Sequence, residues 1–148
     1  NYKSIISAEK PEKWNGNLAE WNKRVSEIRI LGNNPTGIIP GLTGPRAKCH
    51  EDGILLADVI LVPLEDGDRC QALIENGKQV LVVDLNPLSR TAVSATVTIV
   101  DELTRAAANL FEVLVEDVNA PNQSWNNLEN LQSCLDIISV NLNKRFVF

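Results

Sequence analysis

The sequence predicts an α/β fold, a parallel sheet with flanking helices. Three runs carry that reading. Ala57–Leu64 (ADVILVPL), Gln79–Leu85 (QVLVVDL) and Thr96–Val100 (TVTIV) are apolar and β-branched, as strands covered on both faces tend to be. Helically spaced apolar residues lie between the first and second runs and again after the third. Strands joined through crossover helices in one sheet run parallel.

Taken in chain order, residues 1–16 are polar and irregular. Leu18, Trp21, Val25 and Ile28 follow helical spacing, with Asn17 as N-cap and Gly32 as the stop. The next stretch, to Pro45, is dense in proline and glycine (Pro35, Gly37, Pro40, Gly41, Gly44) and reads as a long loop. Pro63 puts the end of the first strand at an edge or a terminus. The turn Glu65-Asp66-Gly67-Asp68 follows, with Asp66 or Asp68 able to cap a helix. Cys70, Leu73 and Ile74 form that helix's inner face, and Gly77 ends it. The second and third strands are joined by a loop. Asp101 is expected to cap a helix with Leu103, Ala106, Ala107, Leu110 and Leu114 inward. Residues 119–124 form a linker. Ser124 opens a last helix with Leu128, Leu131, Leu135, Ile138 and Leu142 inward. The whole 148-residue chain is expected to form one α/β domain.

Composition narrows the function. Lys and Arg number 14 against 19 Asp and Glu, a net charge of −5, which argues against sequence-independent nucleic-acid binding. No apolar run reaches membrane-spanning length. Three widely spaced cysteines, Cys49, Cys70 and Cys134, suit reduced thiols in a cytoplasmic protein. The lack of any methionine and the start at Asn1 suggest a fragment or a processed product.

In open α/β sheets, ligands sit beyond the carboxyl ends of the strands. Three polar turns fall there: Glu65–Arg69, Asp84–Thr91 and Asp101–Leu103. Each alone has a structural explanation as a cap, a turn or a solvated side chain. Together they favour a ligand. Arg90 offers a planar fork for phosphate, Ser89 and Thr91 add hydroxyl donors, and Asp84 and Asn86 suit a ribose hydroxyl or a base edge. The P-loop and the GxGxxG fingerprint are both absent, so any ATP is held by other means. The lone His50 beside Cys49 has no distant partner with metal-ligand spacing. Arg46, Lys48, Arg69 and Arg90 are the candidates for a positive patch.

The segments IIPGLTGPRAK, ADVILVPLEDGDR, DLNPLSRTA and TIVDELTRA, in that order, closely resemble the archaeal 4-phosphopantoate–beta-alanine ligase, or phosphopantothenate synthetase, family. The resemblance runs from about Ile38 to Asn109; residues 1–32 and 118–148 match weakly. It implies a cytoplasmic homodimer of Rossmann-like fold, acting in coenzyme A biosynthesis. It implies the joining of 4-phosphopantoate to beta-alanine with conversion of ATP, carried with Mg²⁺, to AMP and diphosphate. It places nucleotide contacts at Asp84, Leu85, Asn86, Arg90, Thr91, Glu102 and Leu103, and assigns no catalytic residue and no protein-bound metal. Two departures stand out. The family commonly has Asn where this chain has Glu102, and its members are longer at the N-terminus, where further basic residues meet the nucleotide. The alternative is a nucleotide-binding or dimerisation module that keeps the fold without turnover. A third reading is an interaction protein whose polar turns only cap helices.

Overall fold

The computed structural model describes residues 31, 34–63, 66–115 and 124–145. The helix expected around Leu18–Ile28 and most of the 119–124 linker lie outside them. The chain divides into two compact units. One includes Thr43–Leu56 and residues up to Ile39; the other includes Pro40–Leu42 and residues from Ala57 onward.

In the first unit the expected proline- and glycine-rich loop contains a short hairpin. Strands β1 (Gly37–Ile38) and β2 (Lys48–Cys49) pair antiparallel, Gly37 opposite Cys49 and Ile38 opposite Lys48. Prolines and glycines prevent long strands without preventing a two-residue pairing. Gly41 and Gly44 have φ of 85° and 71°, which let the chain reverse between the strands. Ile39, Ala47 and Cys49 are buried. A wide turn follows over Glu51–Leu55, and the Nδ1 of His50 accepts the Asp52 N–H at 3.2 Å. The lone histidine thus serves a local backbone donor.

The second unit carries the parallel sheet. Its strands are β3 (Val59–Val62), β4 (Gln79–Val83) and β5 (Val97–Ile99), in the order β3-β4-β5 and all parallel. Helices α1 (Gly67–Glu75), α2 (Arg90–Ser94), α3 (Leu103–Val115) and α4 (Asn127–Arg145) complete it. This is a Rossmann-like α/β arrangement. Central β4 buries Val80, Val82 and Val83, against Cys70, Ala72 and Leu73 of α1 and Ala92 of α2 among the core residues.

Helix α1 starts as expected, with the Asp66 carboxylate accepting the Arg69 N–H at 3.2 Å. It ends at Gly77, φ 77°. Four expectations need correction. First, β3 is not covered on both faces: Val59 and Leu61 are 54% and 52% exposed. It lies at one edge of the described sheet, so alternate side chains open outward. Second, the link from β4 to β5 is not all loop. It contains α2, whose N-cap Ser89 accepts the Ala92 N–H at 2.9 Å. Five helical residues are too few to show a period in the sequence.

Third, Asp101 does not cap α3; Glu102 does, its carboxylate taking the N–H groups of Thr104 at 3.0 Å and Arg105 at 3.2 Å. Of that helix's expected inner face only Ala106 is buried, Leu110 is partly so, and Leu114 is 78% exposed. Fourth, Asn126 rather than Ser124 opens α4, accepting the N–H groups of Leu128 and Glu129. Leu131 is buried and Leu135 partly so, while Leu128, Ile138 and Leu142 are exposed. The apolar spacing located α1, α3 and α4. It does not say how much sheet is available to cover them.

Polar side chains fasten α4 to the sheet. Asn127 Nδ2 donates to the carbonyls of Ala92 and Ala95 at 2.8 and 3.0 Å, and Asn130 Nδ2 donates to that of Thr98 at 3.0 Å. The buried Thr98 hydroxyl donates to the Ala92 carbonyl at 2.8 Å.

Candidate functional site

Beyond the carboxyl end of β4 the chain ties itself into a small knot of hydrogen bonds. Asp84 accepts the Asn86 N–H at 2.9 Å through Oδ1 and the Ser89 hydroxyl through Oδ2. Asn86 Oδ1 accepts the Leu88 N–H at 2.9 Å, and the Ser89 N–H reaches the Asn86 carbonyl at 3.1 Å. Short polar side chains that bond their own backbone two residues on favour such turns. Pro87 is buried within the turn. The loop is therefore held from both ends, by β4 and by the cap of α2.

Beyond β5 a second knot forms. Asp101 Oδ1 accepts the Glu102 N–H at 2.7 Å and Arg105 Nε at 2.7 Å, and Arg105 Nη2 completes an ion pair with it. The Thr104 hydroxyl donates to Glu102 Oε2. The Arg105 guanidinium, then the Glu102 N–H, hold the Asp101 carboxyl below its ordinary value of 3.8. The Thr104 hydroxyl, then the Thr104 and Arg105 N–H groups, hold Glu102 below 4.5. Both stay ionised at neutral pH.

Between the two knots lies a cleft of about 270 Å³ lined by Pro63, Val83, Asp84, Leu85, Asp101, Glu102 and Leu103. Asp84, Leu85, Glu102 and Leu103 are four of the expected nucleotide contacts, and the fold brings them together. Asn86, Arg90 and Thr91 do not line it. Asn86 is exposed on the loop. Arg90 extends from the start of α2 and pairs with Asp68. Thr91 is fully buried, and its Oγ1 has no hydrogen-bond partner among the described residues. Pro63, Val83 and Asp101 were not singled out as contacts, although Pro63 ends β3 and Asp101 follows β5, where ligands gather.

Among the described residues, the cleft's charged groups are the carboxylates Asp84, Asp101 and Glu102. Carboxylates accept hydrogen bonds from hydroxyl and amine donors and repel phosphate. Arg90, with its side chain 70% exposed, is the cation of this end of the sheet expected to meet an anion. Among the other candidates for a positive patch, Arg69 belongs to the same unit, while Arg46 and Lys48 belong to the first. Among the described residues no three His, Cys, Asp or Glu side chains group as a metal site.

The family model for phosphopantothenate/pantothenate synthetase matches residues 9–143. The chain belongs to that family. The match reaches well beyond the Ile38–Asn109 span of the sequence resemblance, at both ends. Relatives of the synthetase family include a 4-phosphopantoate–beta-alanine ligase from Thermococcus kodakarensis, 56% identical over 97 residues, 66% of this chain and 37% of the relative. A ligase of the same name from Methanospirillum hungatei is 61% identical over 89 residues, 60% of this chain and 36% of the relative. That from Methanosarcina mazei is 50% identical over 93 residues, 63% and 36% respectively. The chain thus spans little more than a third of the length of these synthetase relatives.

Proposed function

We propose that this chain contributes the nucleotide site of an ATP-dependent ligase that joins 4-phosphopantoate to beta-alanine, giving 4'-phosphopantothenate, AMP and diphosphate in coenzyme A biosynthesis. The observation that carries the proposal is the convergence of Asp84, Leu85, Glu102 and Leu103 on one cleft at the carboxyl ends of β4 and β5. Membership of the synthetase family, and the names of its relatives, support the choice of 4-phosphopantoate and beta-alanine as the two substrates joined.

The physics orients the nucleotide. A cleft of about 270 Å³ falls just below the roughly 300–1,000 Å³ of pockets that enclose drug-sized ligands. It has room for a sugar or a base, not for all of ATP. Its carboxylates suit ribose hydroxyls or a base amine. The triphosphate then lies towards Arg90, outside the cleft. The pantoate carboxylate attacks the α-phosphorus, diphosphate leaves, and the beta-alanine amine displaces AMP from the acyl-adenylate. Such chemistry asks mainly for positioning and charge neutralisation. Mg²⁺ is expected to arrive on the phosphate oxygens of ATP, since magnesium prefers substrate phosphates and water to an all-protein cage.

A homodimer fits the exposed apolar residues Phe111 and Leu114 of α3 and Ile137, Val140 and Leu142 of α4. Free cysteines fit a reducing, cytoplasmic setting. No helix among the described residues is long and apolar enough to cross a membrane.

The test mixes the chain with ATP, Mg²⁺, 4-phosphopantoate and beta-alanine and follows AMP. AMP release that needs both co-substrates supports the ligase. Tight ATP binding with no AMP supports the second reading, a nucleotide-binding module without turnover, which the carboxylate-only charge of the cleft favours. No ATP binding would refute both.

A further inference from the structure

Arg90 lies along a surface that only glycine leaves open. A Cβ built on Gly67 would stand 2.9 Å from Arg90 Cβ, 3.0 Å from its Nε and 3.3 Å from its Nη2. The close contacts run from the root of the arginine to its guanidinium, so swinging the tip away would not relieve them all. Gly67 is not needed for backbone reasons. It is the first residue of α1, and among the described residues the glycines with positive φ are Gly41, Gly44 and Gly77. Glycine is otherwise a poor helix residue. The neighbouring Asp68 forms an ion pair with Arg90 Nη2.

We propose that Gly67 and Asp68 form a seat that positions the Arg90 guanidinium for a phosphate group, with Asp68 as the positioning residue. This rests on the nucleotide reading above and adds residues to it. An exposed ion pair contributes little to stability, and the Arg90 and Asp68 side chains are 70% and 48% exposed. Orientation is the more substantial effect. A free arginine side chain samples many rotamers, and a ligand must then restrict them on binding. An arginine laid over Gly67 and held at Nη2 is restricted when the chain folds. Its planar fork has further donors for an anion. Asp68 also repels phosphate, so its removal has two opposed effects whose sign can be read.

The experiment uses the full chain and two readouts. The first, without ligand, is the NMR signal of the Arg90 Nε–H, assigned by its loss in Arg90→Ala. It should be resolved and slow to exchange in the wild type, and averaged in Asp68→Asn and in Gly67→Ala. The second is ATP affinity by calorimetry in a double-mutant cycle of Asp68→Asn with Arg90→Ala. Asp68→Asn should weaken ATP binding by roughly 3–10-fold when Arg90 is present, within the range set by arginine rotamer freedom. In the Arg90→Ala background it should not weaken binding at all, and removal of its charge should strengthen binding slightly at low salt. An unchanged Nε–H signal in Asp68→Asn overturns the proposal. So does tighter ATP binding in Asp68→Asn with Arg90 present, which would make Asp68 a competitor for the guanidinium. An Nε–H signal that depends on Asp68 in a wild-type chain with no ATP affinity would support the seat and refute the nucleotide reading.

Discussion

Asn127 brackets Thr98: its Oδ1 accepts the Thr98 N–H at 2.8 Å while its Nδ2 donates to Thr98 Oγ1 at 3.2 Å. One side chain at the start of α4 thus completes the hydrogen bonding of β5 at the rim of the sheet. Asn127→Ala leaves the Thr98 N–H and the Ala95 carbonyl without this partner. The expected loss is about 3 kcal/mol, the upper part of the range for a bared buried polar group. Urea unfolding measures it, and a loss no larger than that of a surface substitution would contradict the assignment.

Arg90→Ala should weaken ATP binding by roughly 1.5–3 kcal/mol, the range for a hydrogen bond to a charged group. Thermal stability should barely change, because the arginine is exposed and its ion pair is worth little. Calorimetry beside a melting curve separates the two. Unchanged affinity would remove Arg90 from the nucleotide site.

Glu102 ties α3 to the cleft, and its folded carboxyl lies below its ordinary 4.5. A carboxyl depressed by folding adds stability above its unfolded value, and that stability is lost as pH falls through the folded value. Wild-type stability should therefore decline in acid below about pH 4.5. Glu102→Gln, which cannot ionise, should show a shallower decline. Parallel acid dependence in the two proteins would show that the cap does not act through its charge. Glu102→Asn should still cap the helix through its side-chain amide oxygen.

Burial, with a smaller contribution from the Asp66 carboxylate, pushes the Cys70 thiol up from 9.0 to about 11. Folding favours the neutral thiol, so this stabilisation is complete below about pH 9 and disappears as pH rises towards 11. The denaturation midpoint should fall over that window, and the fall should be smaller in Cys70→Ala. At pH 8, iodoacetamide should label the partly exposed Cys134 well before Cys70, because the thiolate is the reactive form. Equal labelling rates in the folded chain would be inconsistent with a buried Cys70.

Light scattering at micromolar concentration should give twice the mass of one chain. Phe111→Asp should lower it, since a buried charge without a partner is unfavourable at an interface. A monomer in the wild type would refute the proposed homodimer.

The strands and their parallel order were legible because a run such as VLVV leaves little choice: only a central strand buries successive side chains on both faces. Asp66 and Gly77 were legible for a similar reason, each being suited to one end of a helix. Helix α2 was not, since Arg90–Ser94 is shorter than the window in which a helical period can be seen. Capping by Glu102 instead of Asp101 was hidden because either carboxylate can reach N–H groups, and backbone geometry decides between them. Four cleft residues were accessible from strand ends and family resemblance together. The contact of Gly67 with Arg90 was not, because it joins the starts of two helices 23 residues apart and leaves no trace in local sequence.

The order β3-β4-β5 is also the order in which a ribosome releases these strands. Each of these parallel strands can dock on the one made before it, so the described sheet can grow from β3 towards β5. Domains that form in this way can begin to fold during synthesis. The cleft is different, because its walls come from the ends of β3, β4 and β5 and from the start of α3. It can exist only after Leu103 has left the exit tunnel. Nascent chains stalled at successive lengths should accordingly acquire protease resistance in β3, α1 and β4 first. Protection by nucleotide should begin only with chains long enough to expose the first turn of α3.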